Sequence, residues 1–275
     1  MKAKINIKKY LLPVLLTIVF MAIILFPYYY LVLQSFVPWV WVDKTLVPRE
    51  LSIKSFSYLF TQSSSTNPYV WARSLLNSFI VALPTGAISV LVGLFTGYAS
   101  SKMNFSGKKL IYNLLVFQMF FPTIILLVPR FMIMKDYVNS YIGLILPLCI
   151  PIWAIFMYIN YFKTIPDTIF EAARIDGASE LQNVLLIAMP ATKPISVIVF
   201  LTSFTTRWTE VIWDMKMASD VQFKTLNVML TSQFSRTDAL PGPMYASAVA
   251  LTLPIILLFL AFSKYFREGI NFMVK

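Results

Sequence analysis

Six apolar stretches of the chain are free of charged side chains: Tyr10–Phe36, Leu75–Ser101, Leu110–Pro129, Tyr141–Phe162, Pro194–Thr206 and Met244–Ser263. Five of them hold the ~20 residues a helix needs to cross the hydrocarbon core of a bilayer. The pattern predicts an all-α integral membrane protein with six transmembrane helices. An even number of crossings places both ends on one side.

The first run follows Lys2, Lys4, Lys8 and Lys9 and so imitates a signal peptide, but it exceeds the usual ~7–15 residues and no small-x-small cleavage site follows. It reads as an uncleaved span. Tyr28, Tyr29, Tyr30, Trp39 and Trp41 gather at its far end as an interfacial aromatic belt. From Val37 to Arg73 a mixed loop with a Ser-Ser-Ser-Thr-Asn run is placed outside. The second span carries Gly93 and Gly97, a GxxxG spacing that lets another helix approach closely. Lys102, Lys108 and Lys109 then mark a short cytoplasmic loop. The third span contains Gln118, Pro122 and Pro129, and prolines free backbone carbonyls that neighbours must re-satisfy or that line a wet path. Arg130, at its outer end, is placed to snorkel to the interface.

The fifth run is too short: only Pro194–Thr206, 13 residues, is free of charge. Its crossing must include some of Arg207, Trp208, Thr209, Glu210, Trp213 and Asp214. Ionisable groups at that depth are costly and mark pathways. Arg207, Glu210 and Asp214 fall on one helical stripe by their spacing. Two readings stay open: Trp208 as a flat apolar face with Glu210 accepting hydrogen bonds from a solute in a path, or an Arg207–Glu210 ion pair that holds spans together. The outer segment Ser219–Met244, with Pro241-Gly242-Pro243, reads as a polar loop.

Between the fourth and fifth runs lies a polar island, residues 163–193, with the grammar of a helical hairpin. Pro166 can open a helix, since its missing N–H is one of the unpaired donors there. Gly177 supplies the reversal. Ser179 and Gln182 form a capping box for the next helix, and Pro190 is expected to stop it. The apolar residues Ile165, Ile169, Phe170, Leu181 and Leu185 then need covering by the protein itself or by a partner.

This island resembles the EAA loop of ABC importer permeases: Glu171-Ala172-Ala173, three residues, Gly177, nine residues, then Ile187-x-Met189-Pro190. Met189 stands where the family usually has Leu, a swap that conserves volume and apolarity. From about Arg73 to Lys275 the likeness continues. Gly97-Tyr98-Ala99, Gln118-Met119-Phe120, Tyr141 to Pro147, Ile175-Asp176-Gly177-Ala178 and Arg267-Glu268-Gly269 are similar in order and spacing to the second permease subunit of maltose-type carbohydrate importers.

The resemblance implies a type I ABC importer transmembrane domain over 73–265, preceded by a helix and outer loop over 1–72 and followed by a cytoplasmic tail over 266–275. It implies a homologous permease as heterodimer partner, two ATPase subunits, an extracytoplasmic solute-binding protein and a di- or oligosaccharide as cargo, in a prokaryotic inner membrane. ATP and Mg would sit on the ATPase subunits and no cofactor on this chain. Glu171, Ala172, Ala173, Arg174, Asp176, Gly177, Ile187 and Pro190 would dock the ATPase: Glu171 through charge-assisted hydrogen bonds, the alanines through close approach, Gly177 through the turn. Gln118, Arg207, Trp208 and Glu210 would line the path. The family often has Trp-Asn-Glu where this chain has Trp208-Thr209-Glu210. The tail from Gly269 to Lys275 would lie against the ATPase pair.

Composition agrees with a membrane protein. Of 275 residues 58% are hydrophobic, and the mean hydropathy is +0.73. Charged residues make up 13%, about half the usual share of a soluble domain. The net charge of +11 bears on topology first: the segments assigned to the cytoplasm carry 13 basic residues in 61, against 10 in 89 outside, as the positive-inside rule requires. Basic and aromatic residues are not interleaved as nucleic-acid binding would need. Without histidine the chain lacks the commonest general base and zinc ligand, which disfavours a membrane enzyme. Cys149 cannot form an internal disulfide. No Gly-x-x-x-x-Gly-Lys-Ser/Thr occurs, so energy must come from another subunit. The rival reading, a secondary transporter or channel, would predict internal repeats around a midplane site, and none stands out.

Overall fold

A computed structural model of the chain describes residues 7–48, 50–61, 69–234 and 240–273. Lys2, Lys4, the serine-rich run at 63–67 and Lys275 lie outside the described residues. Among the described residues three helices are long and apolar enough to cross a membrane unbroken: α1 (Ile7–Ser35), α3 (Val70–Lys102) and α14 (Pro241–Met273). At 1.5 Å per residue the 33 residues of α3 extend about 50 Å, and two later helices pack along it.

The remaining apolar runs are interrupted helices. The third apolar run is cut into α4 (Lys108–Met119) and α5 (Leu127–Met134). Pro122 cannot donate to the Gln118 carbonyl and disfavours helical backbone before it. Phe120 and Phe121 instead close tight turns on Phe117 and Gln118, 3.1 Å each. The fourth run is bent by 42° between α6 (Tyr141–Ile145), continued by a 3₁₀ turn through Leu148, and α7 (Ile152–Lys163). Pro151 removes the donor that would continue the helix. The carbonyl of Cys149 is taken up by Ser89 Oγ of α3 at 3.0 Å, the re-satisfaction a buried broken helix requires. Counting each bent pair as one, the spans number up to five.

Small residues on α3 decide what packs on it. A Cβ on Gly93 would lie 2.7 Å from the Tyr158 ring of α7, and one on Gly97 would lie 2.5 Å from Tyr158 Cβ. The expected close approach of GxxxG is therefore made, to α7. Because a Cβ atom cannot swing away, Gly97→Ala is expected to cost about 1–3 kcal/mol through overpacking. The check is a thermal melt of the detergent-solubilised protein, and an unchanged midpoint would refute the contact. The third helix of this core is α11 (Lys193–Trp208), with Phe200 lying 3.1 Å from the Cβ position of Gly86.

Two segments read as loops are partly helical. The outer segment after α1 contains α2 (Lys54–Thr61), and the segment after α11 contains α12 (Ile212–Met217), a 3₁₀ turn and α13 (Leu226–Phe234). Leu226, Val228, Met229 and Leu230 are buried, so this stretch is a folded cap against α3 and α14 and not a free polar loop. Asn77 of α3 ties it down, donating to the carbonyls of Gln222 (2.8 Å) and Lys224 (3.0 Å) while accepting from Tyr141 Oη (2.7 Å). Helix α14 runs without interruption across position 265, where the sequence reading ended the membrane domain. Along α1 the side chains from Leu11 to Tyr29 stand exposed, free to meet lipid or another subunit.

Candidate functional site

The hairpin over 163–193 forms as its residues dictate. Helix α8 (Asp167–Ile175) starts after Pro166 and ends on Gly177 at φ +85°. Ala178 N–H donates to Ala173 O (2.9 Å) and Gly177 N–H to Arg174 O (3.1 Å), the paired bonds of a Schellman motif. No neighbouring atom lies within 4 Å of the Cβ position of Gly177, so backbone angle, not space, demands glycine there. Ser179 and Gln182 make the reciprocal capping box at the start of α9 (Glu180–Gln182).

Pro190 does not stop the second helix. It sits within α10 (Met189–Ala191), behind a π-helical stretch from Asn183 to Ala188. The wider π turn re-phases the backbone bonds ahead of the proline ring, and the helix ends at Thr192, where the chain bends by 80° into α11. Within that stretch the Asn183 amide is buried and, among the described residues, meets no hydrogen-bond partner.

The hairpin has two faces. Inward, Phe170 is buried with Val184 and Ala188 against Tyr98, Tyr158 and Phe162, and Ile165 and Ile187 are half-buried at the edge of that cluster. Outward, Glu171, Ala172 and Asp176 are exposed beside Ile169, Leu181 and Leu185. Ile175 is 87% and Leu186 71% exposed. The sequence reading missed these last two, although an apolar residue just before a helix-ending Asp-Gly is a legible sign. Ala173 is half-buried and Pro190 exposed.

Beneath the hairpin, five polar side chains join it to the C-terminal end of α3. Glu180 Oε2 accepts from Tyr98 Oη at 2.6 Å and Glu180 Oε1 from Arg174 Nε at 2.8 Å. Arg174 Nη2 donates to the Lys102 carbonyl at 3.3 Å. Lys102 Nζ donates to Ile165 O at 2.6 Å, pairs with Asp167 and lies 5.4 Å from the centre of the Phe170 ring. The hydrogen bond from Lys102 holds the Asp167 carboxyl below its usual range, and Glu180 raises the Arg174 guanidinium. A depressed carboxyl stabilises the fold above the ordinary carboxylate pKa, and loses that contribution as pH falls through the lowered value. Asp167 is largely exposed, so solvent screens much of this. Of the five, sequence reasoning had singled out only Arg174 for a role.

At the C-terminal end of α11 the stripe of Arg207, Glu210 and Asp214 is not one helix. The chain leaves helix at Thr209–Val211 and re-enters it as α12. That break swings Asp214 back onto Arg207, whose Nη1 and Nη2 reach the two carboxylate oxygens at 3.1 and 2.6 Å. Arg207 Nη2 also donates to Leu144 O (3.0 Å), and Asp214 accepts from Thr225 Oγ1 (3.0 Å). The alternative of an Arg207–Glu210 ion pair is thus corrected: Glu210 Oε1 caps the Trp213 N–H at 3.0 Å. Trp208 is buried, stacked on Phe204 with Phe79 edge-on, its Nε1 donating to Leu251 O of α14 at 2.9 Å. Gln118 stands exposed on α4, apart from Arg207 and Trp208. Within this chain the four proposed path residues do not form one cluster. Among the described residues no group of three or more His, Cys, Asp or Glu side chains could hold a metal ion.

Residues 89–271 match the family described as "Binding-protein-dependent transport system inner membrane component". The chain is 27% identical over 262 residues to the "Inner membrane ABC transporter permease protein YcjP" of Escherichia coli (strain K12), covering 92% of this chain and 91% of that protein. To the "Arabinooligosaccharides transport system permease protein AraQ" of Bacillus subtilis (strain 168) it is 26% identical, covering 90% and 89%. Its fold matches a chain of a bacterial ABC transporter involved in the import of the acidic polysaccharide alginate, with a TM-score of 0.80 at 20% identity over 97% of this chain and 99% of that one. With two thirds of its length inside the family's pattern, the chain belongs to the family of binding-protein-dependent transport system inner membrane components.

Proposed function

We propose that this multi-pass membrane protein is one permease of an ATP-driven importer for an oligosaccharide or similar glycan. It pairs with a homologous permease and docks two ATPase subunits on the hairpin that carries Glu171. An extracytoplasmic binding protein delivers solute to the opposite face, and both termini lie in the cytoplasm. The observation that carries the reading is the outward face of the hairpin. Ile175, Leu181 and Leu186 stand exposed beside Glu171 and Ala172 on a rigid, doubly capped turn, and exposed apolar side chains rimmed by charge mark a protein interface. An oligosaccharide as cargo is supported by the name of one relative, the arabinooligosaccharide permease AraQ. In the transport step, ATP-driven closure of the ATPases moves the hairpin as a rigid body and rocks the spans between inward- and outward-facing states.

The test is co-expression with the partner permease and ATPases, carrying Ile175→Cys for thiol cross-linking. The native Cys149 is buried and stays silent. Cross-links from position 175 to an ATPase subunit are expected, and liposomes holding this chain alone should take up no solute. A bare position 175 in the purified complex, or uptake by the chain alone, would refute the reading and favour a secondary carrier.

A further inference from the structure

Resting on the proposed coupling, we propose that Tyr98 and Glu180 are positioning residues for transport: with Arg174 and Lys102 they form a clasp through which displacement of the hairpin is delivered to α3. The hairpin is joined covalently to α7 and to α11, at the latter through an 80° bend. Neither junction constrains α3, whose nearest covalent link is the loop to α4. Yet α3 is the helix against which both α7 and α11 pack, so it must follow the hairpin or shear against its neighbours.

What holds hairpin to helix is chemical. Tyr98 and Lys102 are four residues apart and share one face of α3. The Tyr98 ring meets Phe162 and Phe170 edge-on at 5.8 and 5.5 Å between centroids, while its hydroxyl reaches Glu180 at 2.6 Å. Glu180 is thereby shared: one oxygen holds α3, the other holds Arg174 at the end of α8. Arg174 closes the ring on the Lys102 carbonyl, and Lys102 reaches back to Ile165 O ahead of α8. Both helices of the hairpin are therefore bonded to α3 as well as to each other. Charge-assisted hydrogen bonds are short, directional and about twice as strong as neutral ones, and packed elements so joined move as bodies instead of deforming continuously.

The experiment uses the assembled importer with spin labels at Thr168→Cys on α8 and Leu91→Cys on α3, both exposed sites. Distances are read nucleotide-free and trapped with ATP and vanadate. In the otherwise native complex the label separation is expected to stay fixed between the two states. In Tyr98→Phe, which removes one hydroxyl and keeps the ring, and in Glu180→Gln, it is expected to shift or broaden by about 2 Å or more, with ATP hydrolysis kept. A separation that changes with nucleotide in the native complex, one that stays fixed in both variants, or a variant that no longer assembles would overturn the proposal. Failure of the native chain to recruit ATPase subunits would instead strike the coupling reading, before any variant is compared.

Discussion

Asp214→Ala is expected to destabilise the folded chain by about 3–5 kcal/mol, the cost of leaving a buried charge without its partner. Arg207 is buried and gives two hydrogen bonds to that carboxylate. With alanine at 214, the guanidinium keeps only the Leu144 carbonyl. A domain holds about 5–15 kcal/mol in total, so much of the protein should fail to accumulate in the membrane, and what is purified should melt early in detergent. Removing both charges, as in Arg207→Met with Asp214→Leu, is expected to recover most of the loss, because apolar side chains of similar volume often replace a buried ion pair without penalty. Single variants that melt like the native protein would mean that water reaches the pair. The network is also what fastens the outer cap, since Thr225 and Leu144 belong to segments otherwise distant in sequence.

Gly177→Val is expected to abolish productive coupling while leaving the chain inserted. A left-handed residue with a side chain costs about 1–2 kcal/mol, and a β-branched one strains further. Since the Cβ position of Gly177 is open, none of this cost is steric contact with the rest of the protein. It falls wholly on the turn that sets the angle between α8 and α9. Solute uptake by the reconstituted importer should drop at least about tenfold for a shift of 1.4 kcal/mol or more, whereas Gly177→Asn, which tolerates left-handed backbone, should remain near native. Hydrolysis measured alongside separates lost coupling from lost assembly. Equal uptake by the Val and Asn variants would show that the turn angle does not matter.

The hairpin was legible because its signals are local. A proline, a glycine and a capping box act over three or four residues, and the structure places the turn where those residues put it. Pro190 misled because a proline's effect depends on the turns before it, and the π stretch from Asn183 to Ala188 has no reliable sequence sign. The same distinction explains the outer end of α11. Spacing put Arg207, Glu210 and Asp214 on one stripe, but spacing holds only while the helix continues, and it breaks at Thr209. Tyr98 and Glu180, 82 residues apart, carry no mark that they will meet.

The residues by themselves determined that this is a helical membrane protein with a polar hairpin between two apolar runs, because bilayer thickness and capping chemistry both operate within a single stretch of chain. Only the tertiary structure decided that three helices cross whole and the others break, that Arg207 faces Asp214, and that the hairpin is clasped to α3. Those outcomes depend on which buried donor finds which acceptor across the bundle, and in a medium without water that pairing is settled by neighbours in space.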